Sequence, residues 1–184
     1  MPVFADLLGG DERTYGLLLS IQGIGSVIGT FTVRHFQQSK RLGMIIVMFA
    51  VLSPATLLGF AFLTSFPVSG EVGFLLISFF VVISAIFGAA FLVSSMTVLQ
   101  LIVPDDLRGR VMGIHSITFS LIPLGGLIIG TLASAFTPST SETIGSLISL
   151  LVLFWVVISN KEVWRLNGEN LDDFQLHPIP IHKI

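Results

Sequence analysis

The residues best suited to chemistry form a charged island, Asp105-Asp106-Leu107-Arg108-Gly109-Arg110. Carboxylate and guanidinium groups at this spacing can form ion pairs or bind phosphate. His115 follows the island inside an apolar run, and no acid lies in helical register with it. It is a candidate proton site, with a packed or interfacial histidine as the simpler alternative. Because no hydrolytic, phosphate-binding or metal motif occurs, we predict no enzymatic activity, no cofactor and no metal.

The island separates two long runs that carry no charge. Residues 72–104 contain no Asp, Glu, Lys or Arg over 33 positions, and residues 111–141 contain none over 31. The hydrocarbon core of a bilayer is roughly 30 Å thick and needs about 20 apolar residues of helix to cross it. Each run is therefore predicted to cross a membrane once.

The composition agrees with an integral membrane protein. Hydrophobic residues make up 53% of the chain and charged residues 11%, against roughly 25% charged in an ordinary soluble domain. The net charge of −2 and the absence of a basic patch argue against a nucleic-acid partner. With no cysteine, disulfide and thiol chemistry are excluded.

The alternation of apolar runs and polar breaks predicts an all-α membrane bundle of five helices. Residues 1–13 are too short and too interrupted to cross, and we interpret them as an extracytoplasmic remnant of a preceding helix. Residues 161–184 are polar and are predicted to form a cytoplasmic tail. The five-helix bundle occupies residues 14–160, with helices predicted at about 14–33, 42–64, 72–98, 111–136 and 143–160.

The basic residues predict the orientation of the bundle. Of the nine Lys and Arg residues, eight fall on one side of the predicted topology and only Arg13 on the other. The positive-inside rule makes the eight cytoplasmic. We therefore expect the N-terminus outside and the C-terminus inside. Five crossings agree with this, because an odd number places the two termini on opposite sides of the membrane.

Small residues predict which helices are internal. Membrane helices associate where small side chains let backbones approach, so glycines at GxxxG spacing are candidate contacts. Pairs at this spacing fall in the first and fourth predicted helices, and the third is rich in Gly, Ala and Ser, so these three are predicted to be internal. The second and fifth are predicted to face lipid. The candidate packing residues are Gly25, Gly29, Gly88, Gly125, Gly126 and Gly130.

A second set of residues could line a cavity for a solute. Gln22 is a polar group in an apolar run, where interhelical hydrogen bonding is the alternative to ligand contact. Phe87 and Phe91 could contact an aromatic or amphipathic solute, although phenylalanines at helical spacing also serve packing. His115 and Pro123 complete the candidate cavity set.

Several stretches resemble the major facilitator superfamily of transporters. Tyr15-Gly16-Leu17-Leu18-Leu19 and Gly23-Ile24-Gly25-Ser26-Val27-Ile28-Gly29, after Pro2-Val3-Phe4-Ala5, look like its seventh-to-eighth helix region. The pattern P-x-x-x-R-G-R-V-x-G of residues 104–113, with Pro123-Leu124-Gly125-Gly126 after it, is similar to the tenth-to-eleventh helix connection of its drug and siderophore exporters. That branch includes macrolide-efflux proteins and the enterobactin exporter. The resemblance implies that the five predicted helices correspond to helices 8 to 12 of a twelve-helix fold.

The resemblance implies a function and a role for the basic residues. The expected function is export of a small amphipathic, drug- or siderophore-like solute by alternating access in a cell (inner) membrane, with the lipid bilayer and the solute as partners. The residues expected at a cytoplasmic gate or loop are Asp105, Asp106, Arg108, Gly109, Arg110, Arg34 and Arg41. Simple topological anchoring is the alternative role for the arginines.

The sequence also departs from the family pattern. Val33 stands where the family often carries an acid before the arginine of this loop, which puts the gating role of the loop in doubt. The resemblance finds no counterpart here of the family's first six helices and of nearly all of the seventh, so we expect the C-terminal half of a transporter, with incomplete transport on its own. No Asp or Glu falls within the five predicted spans, so proton coupling would need an acid in the missing half. The competing hypothesis is a non-transporting membrane scaffold or assembly partner that docks another helix through its glycine-rich helices.

Overall fold

The computed structural model describes residues 12–36, 41–66 and 70–159, which form helices and short connections without a strand. Within these residues five helical segments are long and apolar enough to cross a membrane. The all-helical membrane fold is thereby confirmed. The predicted remnant at residues 1–11 and the tail from residue 160 lie outside the described residues.

The described residues form six helices. They are α1 (Glu12–Phe36), α2 (Leu42–Thr64), α3 (Gly70–Ile102), α4 (Asp105–Ser120), α5 (Ile122–Ala135) and α6 (Pro138–Ser159).

Helix α3 is the centre of the bundle. Its 33 residues give a length of about 50 Å at ~1.5 Å per residue, so it exceeds the thickness of the hydrocarbon core. It packs against α1 and α2, and α2 in turn packs against α6. Three apolar clusters follow one another along α3, centred on Ile77, Ala90 and Val98.

The partners in these clusters give the directions of the helices. On α1, Leu18 packs near Ile77 and Val33 near Ala90, so α1 and α3 are parallel. On α2 the order is reversed, because Phe60 lies near Ile77 and Leu42 lies near Val98. The carboxyl ends of α1 and α3 and the amino end of α2 therefore lie at the same end of the bundle.

The apolar run after the charged island forms two helices instead of the single helix predicted at 111–136. The first helix starts earlier, at Asp105, and the two meet at Leu121, whose N–H donates to the carbonyl of Thr118 at 3.2 Å. The physical reason is Pro123, which has no N–H to donate to the carbonyl of Phe119 and whose ring crowds that carbonyl. The N–H of Gly125 then donates to the carbonyl of Leu121 at 3.1 Å, which resumes the helix.

Helix α6 also starts earlier than predicted, at Pro138 instead of residue 143. The hydroxyl of Thr137 accepts from the N–H of Thr140 at 3.2 Å, and Pro138 occupies the first helical position. Thr before Pro is a strong helix-start signal, because the hydroxyl caps a free N–H and proline needs no partner there. One acid, Glu142, therefore lies inside an apolar helix, although the predicted spans contain none.

Candidate functional site

The charged island forms the first turns of α4, where its side chains are exposed. Pro104 takes the N-cap position and no side chain caps the helix. Asp105 and Asp106 lie in the first turn, where the helix dipole favours negative charge. Arg108 donates to Asp105 across 2.7 Å within the same helix. This ion pair is local, so the described geometry gives Arg108 no acid on another helix.

The described arginines divide between the two ends of the bundle. Arg34 lies in the last turn of α1 and Arg41 directly precedes α2, and both are exposed. The helix directions bring them to the end where α3 stops and α4 starts, with Arg108 and Arg110. We call this the basic end. Arg13, at the amino end of α1, lies at the opposite end.

A groove at the basic end joins the island to the central helix. It has a volume of about 240 Å³ and is lined by Gln100 and Leu101 of α3 with Arg108 and Met112 of α4. Gln100 is exposed there, beyond the packed part of α3. The groove places a guanidinium and an amide side by side at the mouth of the bundle.

Two of the candidate packing glycines lie at the closest approach of α1 and α3. A Cβ on Gly25 would lie 2.8 Å from the carbonyl oxygen of Val82, and a Cβ on Gly29 would overlap the backbone of Ile86. Gly88 of α3 faces α2, where Ser53 Oγ would be 3.5 Å from an added Cβ. Glycine is therefore required at positions 25 and 29, because any larger side chain would push the two backbones apart.

The candidate glycines of α5 have different surroundings. A Cβ added to Gly125, Gly126 or Gly130 would meet no atom within 4 Å among the described residues. Neither α4 nor α5 has a buried residue. We call the surface of these three glycines the open face. Their role in packing stays a prediction.

Phe87 and Phe91, two of the candidate cavity residues, lie in the contact between α2 and α3. The ring of Phe87 stacks on Phe49 with centroids 6.2 Å apart, and both candidates pack around the cluster of Val33, Phe49 and Ala90. This arrangement favours the packing alternative for both phenylalanines. Gln22, on α1, is partly buried.

His115 and Pro123 lie on other helices, α4 and α5. The imidazole of His115 meets the ring of Phe119 edge-on at 5.2 Å, and its Nε2 atom is buried without a hydrogen-bond partner among the described residues. A buried polar atom without a partner costs free energy. His115 and the two phenylalanines are not brought into one cavity by the described residues.

Sequence reasoning missed the polar contacts at the start of α6. The hydroxyls of Thr64 and Ser139 share a hydrogen bond of 3.0 Å that joins α2 to α6. Ser139, Ser141 and Ser146 are buried, and Glu142 between them is half-buried. The Thr137-Pro138 start signal could have revealed that these residues belong to a helix.

The helical bundle and its apolar surface define the class of this protein as a multi-pass membrane protein. Across residues 1–182 the sequence matches the family model of the Major Facilitator Superfamily, and the chain belongs to that family. No curated protein and no solved structure matches it. Membership in a family of membrane transporters indicates that the function is transport of a solute across a membrane.

Proposed function

We propose that this chain forms the C-terminal half of an exporter for a small amphipathic solute, with its five spans equivalent to helices 8 to 12 of the family. A second, six-helix half would close the transport pathway by alternating access. In transporters of this architecture the two halves rock about a site near the middle of the membrane. One half alone cannot enclose such a site.

The observation that carries the proposal is the exposure of α4 and α5, of which α5 also contacts α6. The segment from Asp105 to Ala135 is long and apolar enough to cross a membrane, and neither helix contains a buried residue. Its three open-face glycines offer little surface for lipid, whereas a second helix could approach them closely. A partner half that covers the open face would explain why small residues occur there.

The basic end supports a cytoplasmic orientation of this side of the half. Arg34, Arg41, Arg108 and Arg110 all lie there, and the positive-inside rule favours the cytoplasm for such a cluster. The N-terminus would then be outside the cell and the C-terminus inside, in a cell (inner) membrane. In this orientation Asp105, Asp106, Arg108, Gly109 and Arg110, with Arg34 and Arg41, would surround the cytoplasmic gate.

Transport requires the second half, so the decisive experiment measures efflux with and without it. We expect the reading frame ahead of Met1 to encode further apolar spans. Vesicles that contain both halves should release a preloaded amphipathic dye, and vesicles with this chain alone should retain it. A total lack of efflux with both halves present would remove the proposal.

The second candidate function is a non-transporting scaffold that docks another membrane helix. The open face favours it equally, because close approach of any helix would use the same glycines. The two functions differ in the readout of the efflux experiment. A scaffold would bind its partner through the open face and release no dye.

A further inference from the structure

The contact between α2 and α6 differs sharply between its two ends. At one end the Thr64–Ser139 hydrogen bond closes the contact, and all three buried residues of α6 lie within its first three turns. At the other end the helices leave an almost wholly apolar groove of about 350 Å³. Its walls include Val47 and Val51 of α2 and Leu147, Leu150, Phe154 and Val157 of α6.

The open end of this groove points toward the basic end of the bundle. Val47 is six residues from Arg41, which corresponds to about 9 Å along a helix. Arg41 is exposed in the N-cap position of α2, and the first turn of that helix contains no acidic residue. The amino end of a helix adds its own partial positive charge, so this end favours an anion. In the sequence Lys40 precedes Arg41.

We propose that the groove between α2 and α6 binds one anionic phospholipid of the surrounding bilayer. An acyl chain lies between Val47 and Val157, and the lipid phosphate lies at the end occupied by Arg41. Along α6 the wall from Leu147 to Val157 is about 15 Å long, which suits an extended hydrocarbon chain. The apolar lining of the groove contacts the acyl chain, and the positive charge at Arg41 favours an anionic over a zwitterionic headgroup. The argument for this site does not rest on the proposed transport function, although Arg41 also belongs to the residues proposed around the cytoplasmic gate.

Native mass spectrometry of the purified chain tests this site. The chain is released from detergent in the presence of equal amounts of dioleoyl phosphatidylglycerol and dioleoyl phosphatidylcholine. We expect one retained lipid per chain, with phosphatidylglycerol preferred. Equal retention of the two lipids, or retention of neither, would overturn the proposal. Dimers of the chain without bound lipid would identify a second copy as the occupant and would overturn it too.

Matched variants test the two parts of the site separately. Leu147→Trp fills the groove and should abolish retention of both lipids. Ile148→Trp is the control, because Ile148 is the next residue, is similarly exposed at 55% against 47%, and does not line the groove. Val51→Phe repeats the test from the α2 wall, so a misfolded Leu147 variant does not decide the result. If Leu147→Trp and Val51→Phe retain lipid as Ile148→Trp does, the acyl site is wrong.

The headgroup contact is tested by Arg41→Gln. Loss of one cation near the lipid phosphate should reduce the preference for phosphatidylglycerol about fivefold while leaving total retention unchanged. Arg13→Gln removes a cation from the opposite end and should leave the preference intact. An unchanged preference in Arg41→Gln would refute the assignment of the headgroup to this end.

Discussion

Two helices of this bundle carry the same glycine spacing in opposite surroundings. In α1, Gly25 and Gly29 lie against the backbone of α3 so closely that neither could carry a side chain without displacing it. In α5, Gly126 and Gly130 have the same four-residue spacing, but a Cβ on either would meet no atom of the described residues within 4 Å. A GxxxG pattern therefore identifies a surface that permits close approach, and the rest of the chain determines whether a helix occupies it.

The comparison predicts its largest effect at Gly29. Gly29→Leu would force a side chain into the backbone of Ile86, so we expect it to destabilise the chain by about 2–3 kcal/mol, as overpacking of a close contact does. Gly126→Leu is the matched control and should change the stability of the isolated chain by less than about 0.5 kcal/mol. Thermal unfolding in mild detergent, followed by circular dichroism, measures both. Equal losses in the two variants would show that the open face is already packed.

Truncating a buried side chain also compares the packed helices with exposed α5, and we expect a smaller loss of stability than for Gly29→Leu. Ile77 of α3 is buried against Leu18 of α1 and Phe60 of α2, and Ile77→Ala leaves a cavity there. Because lipid is as apolar as the core, the cost comes mainly from lost packing, and we expect about 1–2 kcal/mol. Leu127→Ala on exposed α5 should cost almost nothing, as measured by the same unfolding experiment. A comparable cost at Leu127 would contradict the exposure of this residue on α5.

The hydrogen bond between α2 and α6 should have a moderate effect. Ser139→Ala removes the partner of Thr64 on α6 and leaves the bonds of the Thr64 hydroxyl to the carbonyls of Phe60 and Ala61 in α2. Hydrogen bonds between membrane helices contribute about 0.6 kcal/mol on average. Ser134→Ala is the control, since the exposed Ser134 hydroxyl donates only to the carbonyl of Thr131 in its own helix. A double-mutant cycle with Thr64→Val isolates the pair. A coupling energy near zero would show that this contact does not hold α6 in place.

The smallest effect on stability is expected at the charged island. Arg108→Gln breaks an exposed ion pair within one helix, which is worth at most about 0.5 kcal/mol. Unfolding in detergent should therefore hardly change. In an efflux assay with both halves present, a gating role predicts reduced dye release in this variant, whereas simple anchoring predicts normal release. The same assay on Asp105→Asn separates the role of the pair from that of the arginine alone.

Much of the fold could be predicted from the sequence because the bilayer imposes a simple rule. Charge-free runs of about 20 residues must span as helices, so the five spans follow from the positions of the charged residues. The bounds of α2 were predicted as Leu42–Thr64 and are so in the structure. The other predicted spans begin earlier in the structure than predicted. For α4 and α6 the reason is that Asp105 and Glu142 can lie on a helix near its end.

The candidate site was harder to predict because packing depends on residues far apart in sequence. Periodicity cannot tell that Phe87 stacks on Phe49. Nor can it tell that Gly29 meets Ile86 while Gly126 meets no atom in the part of the chain that the structure describes. The break at Leu121 and the early start of α6 had local signals in Pro123 and in Thr137-Pro138. The groove between α2 and α6 has no sequence signature, because its apolar lining residues are of the same types as those of any lipid-facing surface.

The most direct test of the central claim is the oxygen accessibility of a nitroxide at position 126. The chain has no cysteine, so Gly126→Cys gives a single labelling site on the open face. Ile148→Cys gives a control on α6, because Ile148 is exposed and does not line the groove between α2 and α6. We predict that a label at position 126 collides freely with oxygen in bilayers of this chain alone and becomes protected when the N-terminal half is added. The label at position 148 should remain accessible in both cases. Unchanged accessibility at position 126 in the presence of the second half would contradict the assignment of this face as the docking surface of a transporter.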